Sequence, residues 1–180
     1  MKYLFKNNAF VFLLIVLVQV AYKMLYLDHS GFWHDEAFSL YFSQQHWGHL
    51  KHISEWDSDP PLYYYFLWIW QNLFGTGEYA VRFSSVIFSA LSAGMLFILC
   101  SKHFNRATGL LALLFFTLSN DLYFYAHEAR PQALIIFLVL CSSHVFFEVL
   151  RKPGWIKAII LGVLNFGLIY THYVCGIIVL

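Results

Sequence analysis

The sequence predicts an all-α fold: a polytopic membrane helical bundle with a large outer loop bearing juxtamembrane helices. Three observations predict it. Hydrophobic residues make up 60% of the 180 residues and charged residues only 12%, too few to cover a soluble domain of this size. The apolar residues come in long runs instead of alternating with polar ones, so lipid is the solvent. The charges that remain are sorted along the chain by sign. A formal net charge of +1 with no basic tail gives no signal for nucleic acid.

The first apolar run, 9–26, lacks an A-x-A-like cleavage site and carries Tyr22, Lys23 and Met24 at its outer end. It reads as an uncleaved anchor helix. Further spans are expected at 80–100, 107–126, 132–150 and 156–170, each about 15 to 21 residues, near the roughly 20 that a bilayer needs. A last apolar stretch from 174 reads as an unfinished span. With no repeat and no flexible linker, residues 1–180 are expected to form a single N-terminal part of one transmembrane domain. Cys100, Cys141 and Cys175 are scattered without motif spacing and read as buried thiols.

The segment 60–74 is about 15 residues long, short for a span. It is rich in Tyr and Trp and opens with a Pro-Pro pair after Asp59, a good helix start. If it crossed the membrane, Lys102, Arg106, Arg151 and Lys152 would all lie outside, against the positive-inside rule. If it lies on the outer surface, Lys2, Lys6, Lys102, Arg106, Arg151, Lys152 and Lys157 are cytoplasmic. Asp28, Asp35, Glu36, Glu55, Asp57, Asp59, Glu78, Asp121 and Glu128, nine of the ten acids, then fall outside. The surface-helix topology is the expectation, with the N-terminus cytoplasmic, an outer loop at 27–79 and a multi-pass location in the inner or plasma membrane.

This topology gathers Asp35, Glu36, Asp57, Asp59, Glu78, Arg82, Glu128, Arg130 and His172 at outer helix ends. Ionisable groups at membrane depth are costly, and those that persist tend to line a pocket. Asp35-Glu36 opens an amphipathic stretch, 35–46, where Asp35 reads either as a helix cap or as a carboxylate held at the lipid boundary. Glu78–Arg82 and Glu128–Arg130 read either as local salt bridges or as anion sites built on guanidinium groups. His46, His49 and His52 recur every third residue. On an α-helix they would spread over about 120°, so a wet face is expected and no metal site. Ser85, Ser89 and Ser92 form a small-residue stripe suited to close helix packing, and Asn120-Asp121 stands near an outer helix end.

Five strings occur in order over most of the chain: Trp33-His34-Asp35-Glu36-Ala37, Asp59-Pro60-Pro61-Leu62-Tyr63-Tyr64, Glu78-Tyr79-Ala80-Val81-Arg82-Phe83-Ser84-Ser85, Glu128-Ala129-Arg130-Pro131-Gln132-Ala133-Leu134 and Tyr170-Thr171-His172-Tyr173. Together they resemble the N-terminal part of a GT-C glycosyltransferase of the dolichyl-phosphate-mannose–protein mannosyltransferase-like group (family 39 type). The resemblance implies a GT-C-like bundle that transfers a sugar from a polyprenyl-phosphate carrier to an acceptor hydroxyl outside the membrane. It implies that Asp35 matches the family's catalytic carboxylate and that Arg130 and His172 face the donor. Two positions depart from the pattern: Asp59 stands where histidine is common, and Gln132 where tyrosine is common. Family members are several hundred residues long, and this chain resembles their first third.

The expected catalytic residues are therefore Asp35 and Glu36. Arg130, then Arg82, are expected to stabilise the donor phosphate, with His172 as hydrogen-bond donor; Asp57, Asp59, Glu128 and Tyr63 are further pocket candidates. No cofactor is called for, although the acids leave room for a divalent metal ion. The expected partners are the lipid bilayer, a polyprenyl-phosphate sugar and a glycan, lipid or protein acceptor, with no nucleic acid. Two other readings use the same residues: a non-catalytic lipid-phosphate-binding protein or transporter, and an inactive truncated fragment.

Overall fold

The computed structural model describes residues 8–25, 27, 31–55 and 60–179. Within them the chain is helical and carries no strand. α1 is Asn8–Lys23, α2 His34–Ser43, α3 Leu62–Phe74, α4 Glu78–His103, α5 Arg106–Leu118, α6 Asn120–Ala126, α7 Gln132–Arg151, α8 Trp155–Ile169 and α9 Gly176–Val179. Short 3-10 segments cover Trp47–Glu55 and Tyr173–Cys175. No disulfide links Cys100, Cys141 or Cys175.

α4 is the axis of the bundle and packs against α1, α5 and α7, while α8 lies on α7. Small residues make that possible. Ser85, Ser89, Ser92, Ala90 and Ala93 are all buried on α4. At Gly94 a Cβ would lie 2.6 Å from the Phe12 ring of α1. At Gly109 of α5 a Cβ would collide with Ser101 Oγ and come within 3.0 Å of the Phe97 carbonyl of α4. Where lipid tails are as apolar as leucine, such close backbone approach and polar links drive helix association. Among such links, Gln19 Nε2 donates to Thr117 Oγ1 at 2.7 Å, and Ser142 Oγ to Asn165 Oδ1 at 2.5 Å. Large apolar side chains face outward all along α1, α5 and α8, the inverse of a water-soluble surface.

α4 and α7 are long and apolar enough to cross a membrane, and α5 with α6 makes a third crossing if the pair is one span. α1 and α8 are shorter apolar helices. The expected span 107–126 is broken: α5 and α6 meet at a bend of 67°. Ser119 causes the break by leaving the helix with an extended backbone and accepting a hydrogen bond from Leu122 N, so it caps α6.

α3 is the element that fixes which ends belong together. Leu62 N donates to the Tyr170 carbonyl at the C-terminal end of α8 (3.2 Å). Eight residues later Trp70 Nε1 donates to the Ala80 carbonyl in the first turn of α4 (2.8 Å). Gly75, with φ of 93°, then turns the chain into α4, a conformation that glycine adopts without strain. Both ends of α3 are thus tied to one end of the bundle. The histidines at 46, 49 and 52 correct an expectation of geometry: they fall in and beside a 3-10 segment, where residues three apart eclipse, and all three are exposed, with His46 and His49 meeting edge-on. Among the described residues no group of three His, Cys, Asp or Glu is placed to hold a metal ion.

Gly94→Leu is expected to push Phe12 off α4 and to cost about 1–3 kcal/mol of stability, read as a lowered Tm in detergent. An unchanged Tm would contradict the α1–α4 approach.

Candidate active site

The starts of α2, α4 and α7 converge at the end of the bundle that α3 covers, and a buried ion pair ties them together. Glu36 is wholly buried and Arg82 nearly so. Arg82 Nε donates to Glu36 Oε1 at 2.9 Å and Nη2 to Oε2 at 2.6 Å, the two-pronged geometry in which guanidinium and carboxylate match best. The rest of the guanidinium reaches the chain before α2: Nη1 donates to the Leu27 carbonyl and Nη2 to the Gly31 carbonyl, both at 3.1 Å. The Phe32 ring lies under it, 5.4 Å from Cζ. Glu36 is equally engaged. Its Oε1 also accepts from Ala129 N at 2.8 Å, and its Oε2 closes the first turn of α2 onto Trp33 N at 3.4 Å.

This arrangement exchanges the partners that sequence spacing suggests. Arg82 bonds Glu36, 46 residues away, instead of Glu78 four residues before it. Arg130 lies beside Asp35, with Nη2 3.7 Å from Oδ2, instead of joining its neighbour Glu128. The cap reading for Asp35 also gives way, because Glu36 makes the capping contact of α2. Asp35 keeps 41% of its side chain exposed and Arg130 keeps 19%, so this outer pair is reachable where the inner pair is sealed. Arg82 and Glu36, expected at the donor phosphate and in catalysis, are turned inward and bond each other and backbone groups.

The Glu128 backbone holds the next layer. Ser85 Oγ donates to the Glu128 carbonyl at 2.6 Å, fastening the loop before α7 to α4. The Glu128 side chain is buried, and its Oε1 has no hydrogen-bond partner. Burial raises its carboxyl from the ordinary 4.5 to about 7, reinforced by the charges of Glu36 and Asp35 and opposed by Arg130 and Arg82. Tyr63 is buried beneath, and burial pushes its phenol up as well. Ser85 stands near that hydroxyl, yet the Tyr63 hydroxyl makes no formed hydrogen bond. Gln132 Oε1 is a third buried polar atom here without a partner.

His172 follows Tyr170, the residue that receives Leu62, and so belongs to the same end of the bundle. Its Nδ1 accepts from Val174 N at 3.2 Å, which puts the proton of the neutral ring on Nε2. Asp57 and Asp59 lie outside the described residues. Asp121, in the first turn of α6, is exposed. Sequence spacing missed Ser85 and the Ala129 amide as members of the site. The signal for both was the need of a buried Glu36 and a buried loop carbonyl for donors.

Fold and site together define a helical membrane protein with a polar site at one end of its bundle. The Dolichyl-phosphate-mannose-protein mannosyltransferase family matches residues 58–180, and the chain belongs to that family; in general terms it is a membrane glycosyltransferase-like protein. Arg82, Glu128, Arg130 and His172 lie within the matched stretch, while Asp35 and Glu36 precede it. No curated protein and no solved structure matches the chain significantly.

Glu36→Gln removes one charge from a buried pair and is expected to cost about 3–5 kcal/mol of stability, seen as a large fall in Tm. The Glu128 shift carries a sign. A carboxyl whose pKa is raised in the folded state contributes stability fully below its unfolded value, near 4.5, and loses it as pH rises to about 7. Glu128→Gln should therefore raise the Tm relative to wild type at about pH 8.5 and leave it unchanged at about pH 4. Equal shifts at both pH values would contradict the assignment.

Proposed function

We propose that the protein transfers a sugar from a polyprenyl-phosphate carrier to an acceptor hydroxyl, on the extracytoplasmic side of the membrane. The family description names dolichyl-phosphate-mannose as donor and protein as acceptor, which supports a lipid-linked sugar and a hydroxyl-bearing acceptor for this chain. The observation that carries the reading is the half-exposed Asp35–Arg130 pair held above the sealed Glu36–Arg82 pair. The placement of the acids and of α3 at one end of the bundle supports the extracytoplasmic assignment, because the basic residues then face the cytoplasm.

In this mechanism the acceptor oxygen attacks the anomeric carbon as its proton passes to Asp35. The bond from that carbon to the phosphate oxygen breaks, and its electron pair stays on the phosphate. Arg130 stabilises the negative charge that develops there, and His172 Nε2–H supplies a further donor. A lipid phosphate is already a fair leaving group, so one base and one cation suffice. A single displacement inverts the anomeric centre. Glu128, Tyr63 and Gln132 carry buried polar atoms without partners and are suited to the hydroxyl groups of the sugar. Arg82 and Glu36 act here as positioning residues. Glu36 ties the loop that carries Arg130 to α2, which carries Asp35, and Arg82 holds Glu36 and the chain before α2 in place.

Membranes containing wild type or Asp35→Asn, given a labelled pool of polyprenyl-phosphate sugars, test the reading. Asp35→Asn is expected to lower transfer by about 10²–10⁴-fold with an unchanged Tm, and Arg130→Gln by about 10²–10³-fold. Full transfer by Asp35→Asn would overturn the assignment of the base.

A further inference from the structure

A second polar site lies at the opposite end of the bundle. Lys102 stands 20 residues beyond Arg82 on α4, about 30 Å along the helix. There a cavity of about 330 Å³ opens between α4, α5 and α7, lined by Phe97, Ile98, Ser101, Lys102, Arg106 and His144. Its polar lining is rich in hydrogen-bond donors. Lys102 and Arg106 have donors only, and a serine hydroxyl and a neutral imidazole each offer one. Two of these groups have a buried polar atom without a partner, Ser101 Oγ and His144 Nδ1, and His103 Nε2 beside them is a third. The single carboxylate nearby among the described residues is Glu148. It is shared by Lys102 at 2.8 Å and Lys157 at 3.6 Å, and it leaves positive charge in excess.

Unsatisfied polar atoms in a membrane protein are costly, and the group that satisfies this set is an acceptor with several oxygens and a negative charge. We propose that this cavity binds a phosphate group, with Arg106 and Lys102 on its charge and Ser101 and His144 on its remaining oxygens. The apolar wall of Phe97 and Ile98 and the position at a helix end make the headgroup of an anionic phospholipid the fitting carrier, because basic pockets between membrane helices collect such headgroups. Free inorganic phosphate has the same chemistry. The site is remote from Asp35 and Arg130 and does not depend on the proposed transfer reaction.

The test is thermal unfolding of the full chain in detergent with added phosphatidylglycerol, phosphatidylcholine or inorganic phosphate. The quantity read is the shift in Tm that each addition produces. Wild type is expected to rise with phosphatidylglycerol and not with phosphatidylcholine. The rise should shrink at least by half in Arg106→Gln and in Ser101→Ala, and persist in Arg106→Lys. A rise with inorganic phosphate that the same variants lose would support the phosphate site and identify solution as its source. No anion-dependent rise in wild type, or an undiminished rise in Ser101→Ala and Arg106→Gln, would overturn the proposal. Should Arg106→Gln fail to fold, Ser101→Ala alone decides.

Discussion

The structure depends on one buried ion pair. Two full charges taken out of water cost several kcal/mol each after relaxation, and only good geometry with further hydrogen bonds recovers that cost. Glu36 and Arg82 meet the condition through a two-pronged contact and through backbone groups on both sides. Because those backbone groups belong to the turn before α2 and the loop before α7, neutralising the pair fixes three segments at once. A hydrophobic pair of similar volume could fill the space, but it would not orient the Ala129 amide or the Gly31 carbonyl. The ion pair therefore acts mainly on arrangement, and its net contribution to stability is the smaller matter.

That arrangement accounts for the outer pair. Asp35 and Glu36 are adjacent on α2, as Ala129 and Arg130 are in the loop before α7. When Glu36 takes the Ala129 amide, Asp35 and Arg130 are carried to within 3.7 Å of each other. One residue of each neighbouring pair is structural and the other stays accessible. Ser85 secures the same loop from α4, and α3 roofs this end through Leu62 and Trp70. Glu128, buried with a raised pKa beside this pair, can exchange a proton near neutral pH without leaving its place.

Much of this was legible in the sequence. Long apolar runs marked α1, α4, α7 and α8 to within a few residues, because lipid imposes a simple rule on length and composition. The aromatic segment 60–74 contains α3, and the serine stripe of α4 is buried. Other features turned on tertiary partners that spacing cannot show. Glu78–Arg82 and Glu128–Arg130 invite local pairing, yet the distant Glu36 and Asp35 take the arginines, since a buried guanidinium needs a buried carboxylate and Glu78 stands at the helix rim. The break at Ser119 was hidden because the polar run Ser119-Asn120-Asp121 is short and leucine and aromatic residues resume after it. The histidine row differs in geometry from an α-helical face because Trp47–Glu55 winds as a 3-10 helix, a choice that three-residue spacing does not reveal.

The central claim is that the Glu36–Arg82 pair positions the Asp35–Arg130 pair for transfer. Arg82→Lys tests it most directly, because it keeps the charge and removes the fork that reaches Glu36, Leu27 and Gly31 together. Sugar transfer from a polyprenyl-phosphate donor, measured alongside Tm for wild type and Arg82→Lys, should fall by about 10-fold or more in protein that still unfolds cooperatively. Full transfer by Arg82→Lys would contradict the account, since a lysine cannot hold that geometry and the Asp35–Arg130 pair would then be positioned by something else.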